Sequence, residues 1–207
     1  MAKRGRFITL EGIDGAGKST HVAFIADALR ARGFTVVATR EPGGTPAAEQ
    51  LRALVLAIPM RHDSEVLLMF AARGEHVADV IRPALERGDW VLCDRFTDAT
   101  FAYQGGGHGV DATRIGTLAQ WTHADCMPDT TILFDVPPDV SRARLAKAAD
   151  EGRALDKFER EDAAFTRRVR DVYHARARAE PARFRIVDST RPVAEVRAAL
   201  AAIVAAL

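Results

Sequence analysis

A glycine-rich segment near the start of the chain has the composition and spacing of a phosphate-binding loop. Residues 12–19 read GIDGAGKS, which fits the pattern G-x-x-x-x-G-K-[ST]. Glycines let backbone N–H groups turn inward around phosphate oxygens, and the N-terminal end of the following helix adds partial positive charge. In this pattern Lys18 reaches the β- and γ-phosphates and the hydroxyl of Ser19 binds Mg²⁺. The segment therefore predicts a nucleoside triphosphate site, without identifying the reaction. The residues expected to contact that nucleotide are Gly12, Ile13, Asp14, Gly15, Ala16, Gly17, Lys18, Ser19 and Thr20.

Charged residues follow two further strand-like runs. Arg40 and Glu41 come directly after one run and precede a Pro-Gly-Gly turn, through which backbone can approach a ligand closely. Taken alone, the same pattern is also that of a strand-to-helix turn with two solvated charges. Asp94 and Arg95 end a second apolar run, where a phosphate-loop protein places a Mg²⁺-directed carboxylate and where an arginine can bind phosphate with two N–H groups. The alternative there is a buried structural ion pair.

Two segments could recognise a nucleotide base. Phe70 and Arg73 are three residues apart in a helical pattern, so both lie on one face and could stack a base and donate to its carbonyl. The alternative is a core phenylalanine and a surface arginine. Gln104 precedes a glycine run and offers both a donor and an acceptor to a base edge. Those glycines could equally form a flexible turn.

A charge-dense segment, residues 142–160, carries alternating basic and acidic side chains. The residues from Asp150 to Arg153 interrupt its helical pattern. Such a run is usually a solvated face. In a phosphoryl-transfer enzyme it could instead be a mobile lid that supplies an arginine to the transferring group. We call residues 142–160 the lid segment.

The elements that must position these residues alternate along the chain. Short β-branched runs predict strands at Phe7–Leu10, Thr35–Thr39, Trp90–Cys93, Thr131–Val136 and Phe184–Val187. Between them, 3.6-residue periodicity predicts helices at Ser19–Arg32, Ser64–Arg87, Asp111–His123, Asp139–Ala148, Glu159–Ala179 and Val193–Ala206. A further helix is predicted after Thr45, which can cap it with Pro46 in its first turn, and Pro59 ends it. This alternation predicts an α/β fold with a parallel sheet covered on both faces, whose ligands bind beyond the carboxyl ends of the strands.

The composition excludes several classes of protein. The 207 residues suit a single domain, residues 1–207, and the net charge of +1 gives no general attraction to nucleic acid or to a membrane surface. No apolar run is long enough to span a bilayer, and no secretory leader is recognisable. The two cysteines form no disulfide framework or metal-spaced cluster, so we expect a reducing, cytoplasmic setting.

Taken together, these segments resemble the thymidylate kinases. The resemblance rests on the strings FITLEGIDGAGKST (residues 7–20), TREPGGT (residues 39–45), AARGEH (residues 71–76), DRF (residues 94–96) and AYQG (residues 102–105). Matching stretches extend to about Val187. The resemblance implies a homodimeric phosphate-loop kinase with a five-stranded parallel sheet, which transfers the γ-phosphoryl group of ATP to dTMP with the help of Mg²⁺.

The resemblance also implies roles for individual residues. The catalytic set would be Lys18, Asp94, Arg95 and Arg153, with Ser19 and Asp94 at the metal. The dTMP-binding set would be Asp14, Arg40, Glu41, Phe70, Arg73, Arg95, Thr100, Tyr103 and Gln104. Within that set Arg40 and Arg95 would hold the phosphate, Phe70 would stack on thymine, and Arg73 and Gln104 would read its edge. Tyr103 would pack against the sugar, and residues 188–190 would border the adenine of ATP.

Three positions depart from the family pattern. Relatives often carry the stacking aromatic four residues before the arginine, where this chain has Met69, and they commonly carry arginine where this chain has His108. Some place an arginine within the phosphate loop, and here none is present, so the lid segment would supply that charge.

The residues named above also bear on the mechanism and on three alternative functions. A phosphate monoester has a second pKa of about 6, so the acceptor oxygen is already anionic at neutral pH and needs no general base. The nearest rival is another nucleoside-monophosphate kinase, which a different base pocket would distinguish. A GTPase switch would normally carry an Asn/Thr-Lys-x-Asp box, and the chain has neither asparagine nor a Thr-Lys pair. A nucleic-acid-dependent ATPase is disfavoured by the near-neutral charge.

Overall fold

Five parallel strands form the single sheet of this computed structural model, which describes residues 4–207. The strand order is β2-β3-β1-β4-β5. The strands are β1 (Phe7–Glu11), β2 (Val36–Arg40), β3 (Trp90–Asp94), β4 (Thr130–Asp135) and β5 (Phe184–Asp188). All four pairings are parallel, so the carboxyl ends of the strands meet at one edge of the sheet. The predicted fold class is confirmed.

Helices connect the strands and cover both faces of the sheet. They are α1 (Lys18–Ala31), α2 (Pro46–Ala57), α3 (His62–His76), α4 (Arg82–Glu86), α5 (Thr97–Thr100), α6 (Ala112–His123), α7 (Pro138–Asp150), α8 (Ala163–Ala179) and α9 (Val193–Ala205). Two π-helical segments, Val77–Ile81 and Phe101–Gly107, continue α3 and α5. In the described part of the chain, residues 4–207, no helix has the length and apolar character needed to cross a membrane.

Local capping explains where the helices begin. The hydroxyl of Thr45 accepts a hydrogen bond of 3.2 Å from the N–H of Ala48, and Pro46 fills the first position of α2, as predicted. The helix predicted to start at Glu159 instead starts at Ala163. The reason is Asp162, whose carboxylate caps α8 by accepting from the N–H of Phe165 at 2.6 Å.

The helix predicted over Ser64–Arg87 is present as a continuous helical run, but it is not α-helical throughout. A π-helical segment, Val77–Ile81, separates α3 from α4. Pro83 lies just beyond that segment, and it lacks the N–H that a regular helix would direct to the carbonyl of Asp79, with which its ring would also collide. A wider turn before the proline relieves that conflict.

The glycine run after Gln104 is helical rather than a flexible turn. Gly105, Gly106 and Gly107 belong to the π-helical segment Phe101–Gly107. A side chain at Gly106 would collide with Val172 of α8, and one at Gly107 would collide with the ring of Phe165. The glycines therefore allow α8 to pack closely against the segment that carries Gln104.

Candidate active site

A cavity of about 570 Å³ opens at the carboxyl ends of β1, β2 and β3. Its walls come from the phosphate loop, from the residues after β2 and β3, from α3 and α7, from the second π-helical segment and from the lid segment. The fold thus brings together residues that span positions 14 to 159 of the sequence. Predicted site residues that border the cavity are Asp14, Gly15, Gly17, Lys18, Ser19, Thr20, Arg40, Glu41, Arg73, Asp94, Arg95, Thr100, Tyr103, Gln104 and Arg153.

The phosphate loop has the geometry that its glycines predict. Gly12, Gly15 and Gly17 have φ values of 138°, 73° and 90°, which side chains rarely allow. Lys18 folds back over the loop, and its Nζ donates to the carbonyls of Gly12 at 3.0 Å and Ile13 at 3.2 Å. Burial, helped by the nearby charge of Arg95, lowers the pKa of Lys18 to about 8.

Arg95 is held by the phosphate loop and by the second π-helical segment. Its guanidinium donates to a carboxylate oxygen of Asp14, to the carbonyl of Gly12 at 3.0 Å and to the hydroxyl of Tyr103 at 3.0 Å. That hydroxyl in turn donates to the other oxygen of Asp14 at 2.7 Å. Burial alone would raise the pKa of Asp14, but the charges of Arg95 and Lys18 lower it overall.

The backbone at Arg95 is in the left-handed region, with φ of 69°. Such a conformation is uncommon for a residue with a long side chain and persists only where the surroundings enforce it. Here its N–H donates to the carbonyl of Leu10 in β1 at 2.9 Å, and the turn directs the guanidinium back over the phosphate loop. The alternative of a buried pair between Asp94 and Arg95 is wrong, since Arg95 pairs with Asp14.

Asp94 ends β3 beside the phosphate loop and has a buried carboxylate oxygen, Oδ1, that has no hydrogen-bond partner among the described residues. A buried, unpaired carboxylate oxygen is costly unless a ligand or ion meets it. Mg²⁺ is commonly held by one or two carboxylates together with substrate phosphates. Asp94 and the hydroxyl of Ser19, which both border the cavity, are therefore suitable ligands for Mg²⁺.

Glu41 and Arg73 form a buried pair at the other end of the cavity. The carboxylate of Glu41 also accepts from Nδ1 of His76 at 3.0 Å, so the residue is not the solvated charge that a simple turn would carry. Arg73 also donates through Nη2 to the hydroxyl of Thr100 at 3.0 Å. Its remaining nitrogen, Nη1, is buried and has no partner among the described residues. Among the hydrogen-bonding nitrogens of Arg73, Nη1 alone therefore has no partner in the part of the chain that the structure describes.

The structure contradicts the role predicted for Phe70. Its ring is 2% exposed and packs with Val66 and Ile115 in a small core cluster, away from the cavity. Met69 borders the cavity instead. The reason is helical geometry: Met69 lies four residues before Arg73 and shares its cavity-facing side, while Phe70 is turned about 100° further round α3. A planar ligand beside Arg73 would therefore meet the thioether of Met69, not the ring of Phe70.

Gln104 is buried at the same end of the cavity, and its partner was missed by the sequence analysis. Its side-chain Nε2 donates to Oε1 of Glu65 at 2.9 Å, and the other oxygen of Glu65 accepts from Lys157 of the lid segment. The spacing of the sequence could have indicated Glu65 as a site residue, because Glu65, Met69 and Arg73 are spaced four apart and share one face of α3.

Arg40 is half exposed and borders the cavity near the turn after β2. Its guanidinium donates to the carbonyl of Pro42 at 2.9 Å and to Glu49 at 3.0 Å. Arg52, which the sequence analysis did not single out, donates to the same carbonyl at 3.0 Å and also borders the cavity. These two arginines make this wall a cationic surface for a phosphate group.

Two arginines of the lid segment border the cavity in different ways. Arg153 pairs with Glu159 at 2.9 Å and is 47% exposed, so it is free to exchange partners. Arg144 is tied to the phosphate loop: it donates to the carbonyl of Gly15 at 3.2 Å and to that of Ser189 at 2.7 Å. The loop after β5 thus adjoins the phosphate loop, as the position predicted for residues 188–190 requires.

The chain matches the family model described as thymidylate kinase over residues 10–200. It is 64% identical over 207 residues to a thymidylate kinase of Bordetella petrii, covering 100% of this chain and 98% of that protein. It is 59% identical over 194 residues to a thymidylate kinase of Methylobacillus flagellatus, covering 94% of each. The crystal structure of thymidylate kinase from Ehrlichia chaffeensis at 2.15 Å resolution aligns with a TM-score of 0.79 and 33% identity, over 98% of both chains.

Proposed function

We propose roles for the residues of this cavity from the premise that the chain belongs to the thymidylate kinase family. Its reaction is transfer of the γ-phosphoryl group of ATP to dTMP, which yields dTDP. The observation that carries the assignment of residues is the continuity of the cavity. One end is the phosphate loop with Lys18, and the other is the buried Arg73, whose unpartnered Nη1 can donate to a base carbonyl.

The phosphate ends of the two nucleotides meet beside the phosphate loop. Gly12 to Thr20 hold the β- and γ-phosphates of ATP, with Lys18 moving from its loop carbonyls to the phosphate oxygens. Arg40 and Arg95 hold the phosphate of dTMP. Because that phosphate is already anionic near neutral pH, the enzyme's task is alignment and charge neutralisation rather than proton removal.

Ser19 and Asp94 would hold Mg²⁺, which supplies neutralisation of the phosphate charges when bound. The unpaired oxygen of Asp94 supports that assignment. Arg153 would add positive charge from the lid segment once its bond to Glu159 is exchanged for phosphate oxygens. Arg144, fixed against the loop, would neutralise charge on the ATP side.

The base and sugar lie at the far end of the cavity. Met69 forms the apolar surface under the thymine, Nη1 of Arg73 donates to a carbonyl of the base, and Gln104 contacts its edge. Thr100 orients Arg73 through their hydrogen bond. Tyr103, whose hydroxyl is bonded to Asp14 and Arg95, lies against the deoxyribose.

A panel of acceptors tests this function. ATP and Mg²⁺ are incubated with dTMP, dUMP, dCMP, AMP or GMP, and ADP release is followed by a coupled assay. We expect dTMP to be turned over fastest, because the cavity offers donors and an acceptor matched to a pyrimidine with carbonyl oxygens. Equal or faster turnover of AMP or GMP would refute the assignment.

We further propose that the chain works as one kinase domain over residues 1–207 and as a homodimer. Exposed apolar side chains in and just after α2, in α3 and in α6 support the second point: Leu54, Ile58, Leu67 and Trp121. A cytoplasmic location stays a prediction based on cysteine usage.

A further inference from the structure

We propose that Glu65 is a positioning residue that fixes which end of the Gln104 amide faces the base, and so selects bases with an N–H donor at ring position 3. Thymine and uracil carry that donor, while cytosine presents a lone pair there. The inference rests on the proposed function, because it assumes that Gln104 contacts the acceptor base.

The contact between the two residues is buried and direct. Nε2 of Gln104 lies 2.9 Å from Oε1 of Glu65, and each residue is 2% exposed. No described residue donates to the other end of the amide, Oε1 of Gln104, and Gln104 borders the cavity. One end of the amide is therefore engaged by protein and the other is available to a ligand.

The chemistry of the partner dictates the direction of the amide. An ionised carboxylate only accepts hydrogen bonds, whereas an amide offers a nitrogen that donates and an oxygen that accepts. Glu65 must therefore face Nε2, which leaves the oxygen of Gln104 for the ligand. An oxygen acceptor matches the N3–H of thymine or uracil and repels the lone pair of cytosine at the same position.

A second partner keeps Glu65 an acceptor. Nζ of Lys157 contacts Oε2 of Glu65, and an ammonium group can only donate. Both oxygens of Glu65 are then engaged as acceptors, so Nε2 of Gln104 is the end of the amide that suits Glu65. Lys157 belongs to the lid segment, so Glu65 connects Gln104, at the base pocket, to the lid segment.

The test compares Glu65→Gln with the wild type by measuring kcat/KM for dTMP, dUMP and dCMP. An amide at position 65 can donate or accept, so it no longer fixes the direction of Gln104. We expect kcat/KM for dTMP and dUMP to fall together by about tenfold, as for loss of one buried hydrogen bond, while that for dCMP does not fall. The ratio of kcat/KM for dTMP to kcat/KM for dCMP then falls by about tenfold. The matched control is Glu75→Gln, an exposed position on the same helix, which leaves the ratio unchanged.

A double-mutant cycle separates positioning from general support of the fold. If Glu65 acts through Gln104, adding Glu65→Gln to Gln104→Ala leaves the dTMP to dCMP ratio at the value of Gln104→Ala alone. If Glu65→Gln does not fold, Glu65→Asp replaces it, since it keeps the charge beside Lys157 and withdraws the oxygens from Gln104. The ratio of kcat/KM for dTMP to that for dCMP is expected to fall in Glu65→Asp as well.

The outcomes are distinguishable from failure of the proposed function. An unchanged ratio in the variant, or an equal loss for all three substrates, overturns the positioning role while the wild type still turns over dTMP. Additive effects in the cycle overturn it as well. Failure of the proposed function would instead show in the wild type, as absent dTMP turnover or a preference for purine acceptors.

Discussion

Nε of Arg73 donates a hydrogen bond of 2.7 Å to Oε2 of Glu41, and both side chains are 3% exposed. The pair joins α3 to the end of β2, and Nη1 of Arg73, which we propose donates to the base, has no partner among the described residues. Burial alone would raise the pKa of Glu41, but Arg73 and His76 lower it overall. The ion pair thus supports both the fold and the orientation of a ligand-directed group.

Glu41→Gln is expected to lower the free energy of unfolding by about 3 kcal/mol at pH 7, because it leaves the charge of Arg73 buried without a counter-charge. The folded-state pKa of Glu41 lies below its ordinary value of 4.5, so its contribution is present above that pH and is lost as pH falls through the folded pKa. Denaturant titration should show that the difference in free energy of unfolding between the variant and the wild type becomes smaller below about pH 4.5. Equal stability at pH 7 would contradict the pair's role, and the exposed Glu75→Gln serves as the control.

Met69→Ala and Phe70→Leu are expected to separate binding from stability. Removing the Met69 side chain takes away the apolar surface under the base, so KM for dTMP should rise by about tenfold, as for removal of roughly two buried methylene groups. Phe70→Leu should leave that KM unchanged and lower the free energy of unfolding by about 1–2 kcal/mol, because Phe70 is core. Steady-state kinetics and denaturant titration check both, and the reverse pattern would restore the stacking role of Phe70.

Arg153→Ala is expected to lower kcat by about 10²-fold or more with little change in KM for dTMP, because the acceptor phosphate is assigned to Arg40 and Arg95. Arg160→Ala is the matched control, since Arg160 is an exposed arginine of the lid segment. Normal turnover of Arg153→Ala would move the assignment to Arg144, which already contacts the phosphate loop.

The buried carboxyl group of Glu11 is expected to make the free energy of unfolding fall as pH rises towards 8. The residue is buried in β1, where it accepts from the N–H of Phe96 at 2.8 Å and the hydroxyl of Tyr173 at 2.8 Å. Burial, together with the charge of Asp98, raises the pKa of Glu11 to about 8. Its favourable contribution is therefore complete below the unfolded value of 4.5 and is lost as pH rises towards 8.

The free energy of unfolding of Glu11→Gln should consequently fall less than that of the wild type between about pH 5 and pH 8. Denaturant titration across this range measures the difference in slope. Parallel curves for the two proteins would show that Glu11 is ionised in the folded state at neutral pH.

The proposed homodimer can be tested by substituting an exposed apolar residue. Leu67 in α3 and Trp121 in α6 are 55% and 83% exposed, so both side chains are open to contact with a partner. Sedimentation at micromolar concentration should give twice the chain mass of 22.5 kDa. Trp121→Asp should give a monomer, while Val193→Asp, at a 50% exposed position of α9, should not. A wild-type monomer would refute the proposal.

The order of elements and the phosphate site were predictable from the sequence because both depend on local patterns. Short β-branched runs alternating with helical periodicity predicted all five strands, and the G-x-x-x-x-G-K-S spacing placed Lys18 and Ser19 at the start of a helix after β1. The strings TREPGGT and AYQG carried the resemblance to the family that the comparisons then showed. These features are determined by neighbours within a few positions along the chain.

Tertiary structure decided which side chains face the cavity and which of their hydrogen-bonding groups are already paired within the protein. Periodicity places Phe70 and Arg73 near each other on α3, but only the packing of α3 against α6 shows that Phe70 is core and Met69 borders the cavity. The partners that orient Arg73, Gln104 and Arg95 lie 32, 39 and 81 positions away along the chain. The physical reason is that a hydrogen bond or ion pair depends on distance in space, which the folded arrangement of distant elements alone sets.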